Sequence, residues 1–268
     1  MTDFFNAIKT AFPLKHDNYR DAQSLPRIHS TSAIRAIKLL DKEIIPAIID
    51  SKISENEPHL YYFYGRAAYP ISKGKLPRGD YSHFTFCFLF ESNFEDIKYT
   101  FPFDSGAFLQ GLYEGAIDSH LELLDFALLN NVDCVNELIY RVFGNHYNYV
   151  TGQVPERNTE IGVNTPFEVQ GYWNLVNNKT AKTVDARCKT IEMVSTSDMK
   201  LGNTLLAIVM PEILLDNYIV KSFLKKHPLV DVITYPCFFG DTDDSYYGVV
   251  REHVYEYLLK KNLIEKKR

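Results

Sequence analysis

The stretch from Val184 to Pro211, VDARCKTIEMVSTSDMKLGNTLLAIVMP, constrains the fold most. Its second half, Leu205 to Met210, is an apolar run of strand length, which marks a strand covered on both faces. Polar and apolar residues nearly alternate from Cys188 to Val194, the pattern of a half-buried strand with Glu192 on its polar face. A charged trio, Asp185, Arg187 and Glu192, is thereby set into β-prone sequence beside a core. A carboxylate on a rigid strand is well placed for chemistry. The other reading is that Glu192 is a solvated strand residue paired with Lys189 or Arg187.

A chain of 268 residues, 46% hydrophobic and 24% charged, has the make-up of a folded protein able to bury a sizeable core. Its 18 Tyr and 18 Phe suit half-wet sites, where a ring packs and a hydroxyl reaches a partner, and suit a β-rich core equally well. A net charge of -5 argues against whole-surface attraction to nucleic acid, though not against a local basic groove. The basic run from Lys260 to Arg268 reads as a solvated helix end. Cys87, Cys134, Cys188 and Cys237 are widely spaced, without CxxC, so neither a metal site nor a disulfide framework is indicated and reduced thiols in the cytoplasm are the expectation. The opening residues MTDFFNAIKTAF lack a leader pattern, and no stretch approaches the roughly 18 apolar residues of a membrane span. No export and no membrane insertion are expected.

Along the chain, Thr2–Phe12 is predicted as a short amphipathic helix stopped by Pro13. RIHSTS leads into the helical pattern AIRAIKLL, which places His29 at a strand end and lets Thr31 or Ser32 cap the first turn. Hydroxyls and backbone amides there favour a ligand bearing an amide or phosphate; the alternative is that the hydroxyls are caps and His29 an ordinary surface residue. LYYFY, Leu60–Tyr64, is an aromatic strand turned by Gly65. Arg66 projects from that turn, suited to bidentate recognition of phosphate or carboxylate, or to an internal ion pair. Tyr81–Phe90 holds the buried run FTFCFLF, Ile97–Phe101 a short strand, and PFDSGAF a turn in which Asp104 bonds downstream amides, a potential ligand-facing loop. Ser119 and Glu122 form a capping box for a helix from His120 to about Leu129, and a second helix runs from Asp133 until Gly144 ends it. Together they suggest a helical insertion at about 118–144. Asn145–Asn178 reads as a long, partly ordered loop leading to the Glu192 strand. Glu212–Lys225 and Ser245–Lys261 are predicted helices and Val230–Tyr235 a strand. With neither internal repeats nor a low-complexity linker, the pattern favours one α+β domain over 1–268.

Three of these pieces, RIHSTSAIRAIKLL, LYYFYGRAAY and DARCKTIEMVS, resemble in their order and intervals the ADP-ribosyltransferase-like superfamily, in particular its bacterial DarT-like group. The resemblance implies a mixed, mostly antiparallel twisted sheet and NAD as the cofactor consumed. It implies that His29 holds a ribose of NAD with support from Thr31 or Ser32, that Tyr62 or Tyr64 packs on the nicotinamide ring, and that Glu192 bonds a hydroxyl of the reacting ribose as the catalytic carboxylate. Arg66 is expected within reach of the same ligand. The chain departs from the family at Ser30, where many members have glycine, and at Thr190, where arginine-modifying toxins have Glu or Gln. That weakens an arginine acceptor and leaves nucleic-acid bases, other protein side chains or water. The resemblance further implies a bacterial toxin or anti-phage effector, with an antitoxin as a partner. Two other readings stand beside it: an NAD glycohydrolase, and a non-catalytic domain whose Tyr-rich surface binds a protein.

Overall fold

The two apolar runs lie side by side at the heart of one sheet. In a computed structural model, which describes residues 3–14, 17–49, 53–54, 56–69, 83–156, 161–177, 185–238 and 240–266, the order of elements is α1 (Asp3–Ala11), β1 (Arg27–Ser32), α2 (Ala33–Lys42), β2 (Ile44–Ile45), β3 (Ile48–Ile49), β4 (Pro58–Tyr64), β5 (Thr85–Phe90) and β6 (Ile97–Phe101). Then follow α3 (Ser105–Leu109), α4 (Val132–Val142), α5 (His146–Thr151), α6 (Phe167–Val176), β7 (Glu192–Ser195), β8 (Met199–Lys200), β9 (Leu205–Pro211), α7 (Tyr218–Lys226), β10 (Asp231–Tyr235) and α8 (Tyr247–Lys260). The main sheet has the order β10-β9-β5-β1-β4-β7-β6, with β3 added alongside β4. Among the described strands of this sheet only β10 and β9 run parallel; the other pairings are antiparallel. The fold is thus mixed α+β with a mostly antiparallel sheet.

Both runs are buried as their composition demands. Every residue of β5 is buried, as is β9 apart from Leu206, which is half-buried. Side chains alternate between faces along a strand, so burial at every position means that both faces are covered. Helix α2 packs on β1 and β5, and α8 on β5, β9 and β10. At the other end of the chain α1 lies against α4 and α6 and seats Phe4 edge-on to Phe126 and Tyr172. All four cysteines are free. No helix among the described residues is long and apolar enough to cross a membrane.

Several expectations are corrected. The predicted helix at 120–129 is one 3-10 turn, Leu123–Phe126, in which the Glu122 N–H donates to Asp125 rather than Ser119 capping the chain. Asp118 has already taken the His120 amide, which bends the backbone out of a helical path. The second helix is α4, capped by Asn131, whose side chain accepts from the Cys134 amide. Helical structure between β6 and β7 therefore extends well past 118–144. The region read as a loop, Asn145–Asn178, carries α5 and α6, with Val169, Tyr172, Leu175 and Val176 fully buried. Its many Asn residues obscured the period: Asn145 caps α5, while Asn148 and Asn177 bond backbone carbonyls. Thr2, Tyr81, Ser82, Asn178 and Val184 lie outside the described residues.

α5 also carries a buried titrating group. His146 lies 5% exposed with Nε2 3.0 Å from Asn136 Oδ1, which the Tyr64 hydroxyl also donates to. Burial pushes its pKa down to about 4. The unfolded chain therefore takes up a proton below about pH 6.5 that the folded chain refuses until about 4. Stability is complete above that window and falls within it, by about 2 to 3 kcal/mol near pH 4.5. In urea unfolding at pH 7 and 4.5, His146→Gln should lose less stability on acidification than the parent. Equal losses would assign the acid sensitivity to other groups.

Candidate functional site

The site grows out of a parting in the sheet. β1 pairs with β5 along all six residues, from Arg27↔Phe90 to Ser32↔Thr85. With β4 it pairs only at Arg27↔Tyr64 and Ile28↔Phe63. β4 instead continues along β7, from Phe63↔Glu192 to Leu60↔Ser195. Beyond Ile28 the two halves of the sheet therefore diverge, and the His29 ring fills the gap, its Nδ1 3.0 Å from the Tyr61 carbonyl oxygen. A cavity of about 550 Å³ opens here. Gly65 ends β4 with φ +61, since a Cβ there would collide with Leu25, and its N–H donates to Pro26 O to close the turn.

Register decides which side chains share the cavity. Ile28, Phe63, Glu192 and Phe101 are cross-strand partners and so stand on one face, together with Ser30, Ser32 and Tyr61 two or four residues along. Glu192 is 4% exposed, which corrects the half-solvated position expected of it. The strand begins at Glu192 itself, because Ala186–Lys189 forms a 3-10 turn instead of continuing the alternation. Its Oε2 accepts from the Ser105 N–H at 3.0 Å. That amide belongs to the PFDSGAF turn, where Asp104 caps α3 by accepting from Ala107 N. Arg187 forks onto Asp185, with Nη2 to Oδ2 at 2.8 Å, and has Asp104 at 3.9 Å. Burial disfavours its charge, but those carboxylates outweigh it and raise its pKa.

His29 is tuned toward neutrality: burial lowers its pKa, opposed by the bond to Tyr61. A carbonyl can only accept, so Nδ1 carries the proton and Nε2 is left as an acceptor. Ser30 bonds the Tyr69 hydroxyl at 2.9 Å, and Tyr69 stacks on Tyr247 with ring centres 4.3 Å apart; both tyrosines line the cavity. Ser32 occupies the N-cap position of α2, yet its side chain makes no capping bond. Thr31 lies beside it in the cavity wall.

Of the sequence-expected site residues, the structure brings together His29, Thr31, Ser32, Tyr62 and Glu192. Tyr62 contributes to the wall, but its ring belongs to the opposite face, under the Arg27 guanidinium at 5.0 Å and edge-on to Phe90. Tyr64 does not reach the cavity: its hydroxyl accepts from Leu25 N and donates to Asn136 Oδ1 inside the fold. Arg66 is likewise turned inward, 6% exposed, donating from Nη1 to Lys189 O at 3.2 Å, and burial lowers its pKa. The aromatic side chains of β4 on the cavity face are Tyr61 and Phe63. Strand parity relative to Glu192 separates these two rings from Tyr62 and Tyr64; it also sets His29 with Tyr62, whose ring lies edge-on at 6.1 Å, so His29 reaches the cavity through the gap between β1 and β4. Ser105 belongs to the PFDSGAF turn read as a potential ligand-facing loop, whereas Tyr69 and Tyr247 carry no sequence pattern that marks them.

Searches against family models, curated proteins and solved structures return no match.

Proposed function

We propose that the protein is an NAD-dependent ADP-ribosyltransferase that cleaves nicotinamide from NAD and transfers ADP-ribose to a macromolecular acceptor. The observation that carries this reading is Glu192: a buried carboxylate oriented by a backbone N–H, in line with Ile28 and Phe63, at a cavity whose wall bears the hydroxyls of Ser30, Thr31 and Ser32. In the reaction the bond from the ribose C1′ to the nicotinamide nitrogen breaks and its electron pair leaves with nicotinamide. The acceptor then bonds to C1′ and loses a proton. Positive charge develops on the ribose between these events, and a fixed carboxylate in a water-poor site stabilises it. His29 Nε2 accepts from a ribose hydroxyl, while the cavity-face rings of Tyr61 and Phe63 flank the departing pyridinium. A toxin or anti-phage role, with an antitoxin to restrain it, fits such an activity.

Calorimetric titration with NAD, followed by an assay of nicotinamide release with and without cell extract as acceptor, tests the reading. Heat of binding together with nicotinamide release is the expected result. Absence of binding would remove it, and free ADP-ribose as sole product would make water the acceptor. His29→Ala should weaken NAD binding by about 1 to 3 kcal/mol, the effect of stranding a polar partner in a buried site. Equal affinities would take His29 out of the site.

A further inference from the structure

The geometry points to Tyr149 as the residue that positions Glu192, by splicing its hydroxyl into the ladder that carries the carboxylate. Facing residues of a hydrogen-bonded antiparallel pair exchange two bonds. Between β4 and the residue that leads into β7, one is present: Tyr64 N–H donates to Ile191 O at 2.9 Å. The return bond runs through a side chain. Ile191 N–H donates to the Tyr149 hydroxyl at 3.0 Å, and that hydroxyl donates to Tyr64 O at 2.7 Å. The roles are unambiguous, because a carbonyl only accepts and an amide N–H only donates. Burial pushes the Tyr149 pKa up, so the hydroxyl keeps the proton it donates.

One oxygen thus stands where the strands would otherwise touch, one residue before Glu192. It holds the Ile191 amide off the Tyr64 carbonyl and sets the angle at which β7 begins, and with it the direction of the carboxylate toward Ser105 N–H and the cavity. The wedge is itself fixed. The ring is fully buried, edge-on to Phe143 at 5.2 Å. α5 ends at Gly152 with φ +73, where a Cβ would press on the Arg66 guanidinium. Arg66 and Lys189 then cross-tie the same region, Nη1 to Lys189 O and Lys189 Nζ to Gly152 O. Arg66 therefore serves the site from behind. Tyr149 touches no reacting atom; it acts through Glu192.

The catalytic consequence rests on the proposed transferase reading, so the test carries a readout that does not. In Tyr149→Phe, the Ser105 amide, which reports the bond to Glu192, should lose protection from hydrogen exchange by roughly tenfold or more, with a shifted amide resonance. Nicotinamide release should fall roughly 10- to 100-fold in kcat, as expected for a displaced catalytic group, with KM for NAD within about twofold. Tyr172→Phe, which removes a buried hydroxyl with no hydrogen-bond partner among the described residues, should leave both readouts at parent values. A parent-like Ser105 amide in Tyr149→Phe overturns the positioning role. A parent that releases no nicotinamide overturns the transferase reading alone, since the amide still decides the role of Tyr149. Should Tyr149→Phe fail to fold, para-aminophenylalanine at 149 keeps the ring and the donor to Tyr64 O but accepts poorly from Ile191. Ser105 should again lose protection, and parent-like protection counts against the proposal.

Discussion

Replacing Glu192 with Gln is expected to leave NAD affinity within about twofold of the parent while nicotinamide release falls by roughly 100-fold or more. The substitution keeps the shape and an oxygen able to accept from Ser105 N–H, the bond seen at 3.0 Å to Oε2. It removes the negative charge. The carboxylate acts most strongly at close range once the ribose itself becomes cationic, so turnover more than binding should carry the loss. Folded fractions must be matched, because Glu192 is buried and an amide there meets different neighbours. Nicotinamide released at the parent rate would end the catalytic assignment of this residue.

The second large effect concerns stability. Arg27 is almost wholly buried at the point where β1 and β4 still pair, yet its guanidinium is charged. Asp96 supplies the counter-ion at 2.8 Å, Glu91 O accepts from Nε at 3.2 Å, and the Tyr62 ring lies beneath. Asp96→Ala strands that cation and should cost about 3 kcal/mol, somewhat reduced because Asp96 reaches solvent. The melting midpoint should drop by roughly 6 to 12 °C for a chain of this size. Adding Arg27→Met should restore part of the loss, since the penalty belongs to the unpaired charge more than to the missing bond. If Asp96→Ala melts within about 1 °C of the parent, the buried cation has another partner.

What the sequence discloses, and what it hides, divides along a physical line. The cores of β5 and β9 were legible because burial on both faces leaves an unbroken apolar run. β1, β4 and β7 were legible as pieces, but their adjacency in the sheet is a long-range fact that no local pattern carries. Glu192 was legible as a candidate and mistaken in its surroundings: alternation from Cys188 placed it toward solvent, while the 3-10 turn at Ala186–Lys189 breaks the count and the residue goes inside. The resemblance points to Tyr62 or Tyr64, and nothing local separates them from Tyr61 and Phe63, since all four suit a strand equally; only pairing with β7 fixes the parity. Tyr149 was hidden most deeply. Its role depends on a hydroxyl meeting two backbone atoms at sequence separations of 85 and 42.

The parting of β1 from β4 has a mechanical consequence. β10, β9, β5 and β1 form one lever, β4, β7 and β6 another, and the backbone joins their ladders at a pivot of two residue pairs, Arg27↔Tyr64 and Ile28↔Phe63. Any molecule that touches Ser30 on the first lever and Glu192 on the second acts as a splint across the pivot. Its binding energy is then added to the resistance of the whole sheet to being pulled apart, about 2.7 kcal/mol at a hundredfold excess over Kd. A ligand that spans both levers should therefore slow hydrogen exchange of the backbone at the pivot pairs, which a ligand resting on one lever leaves unchanged.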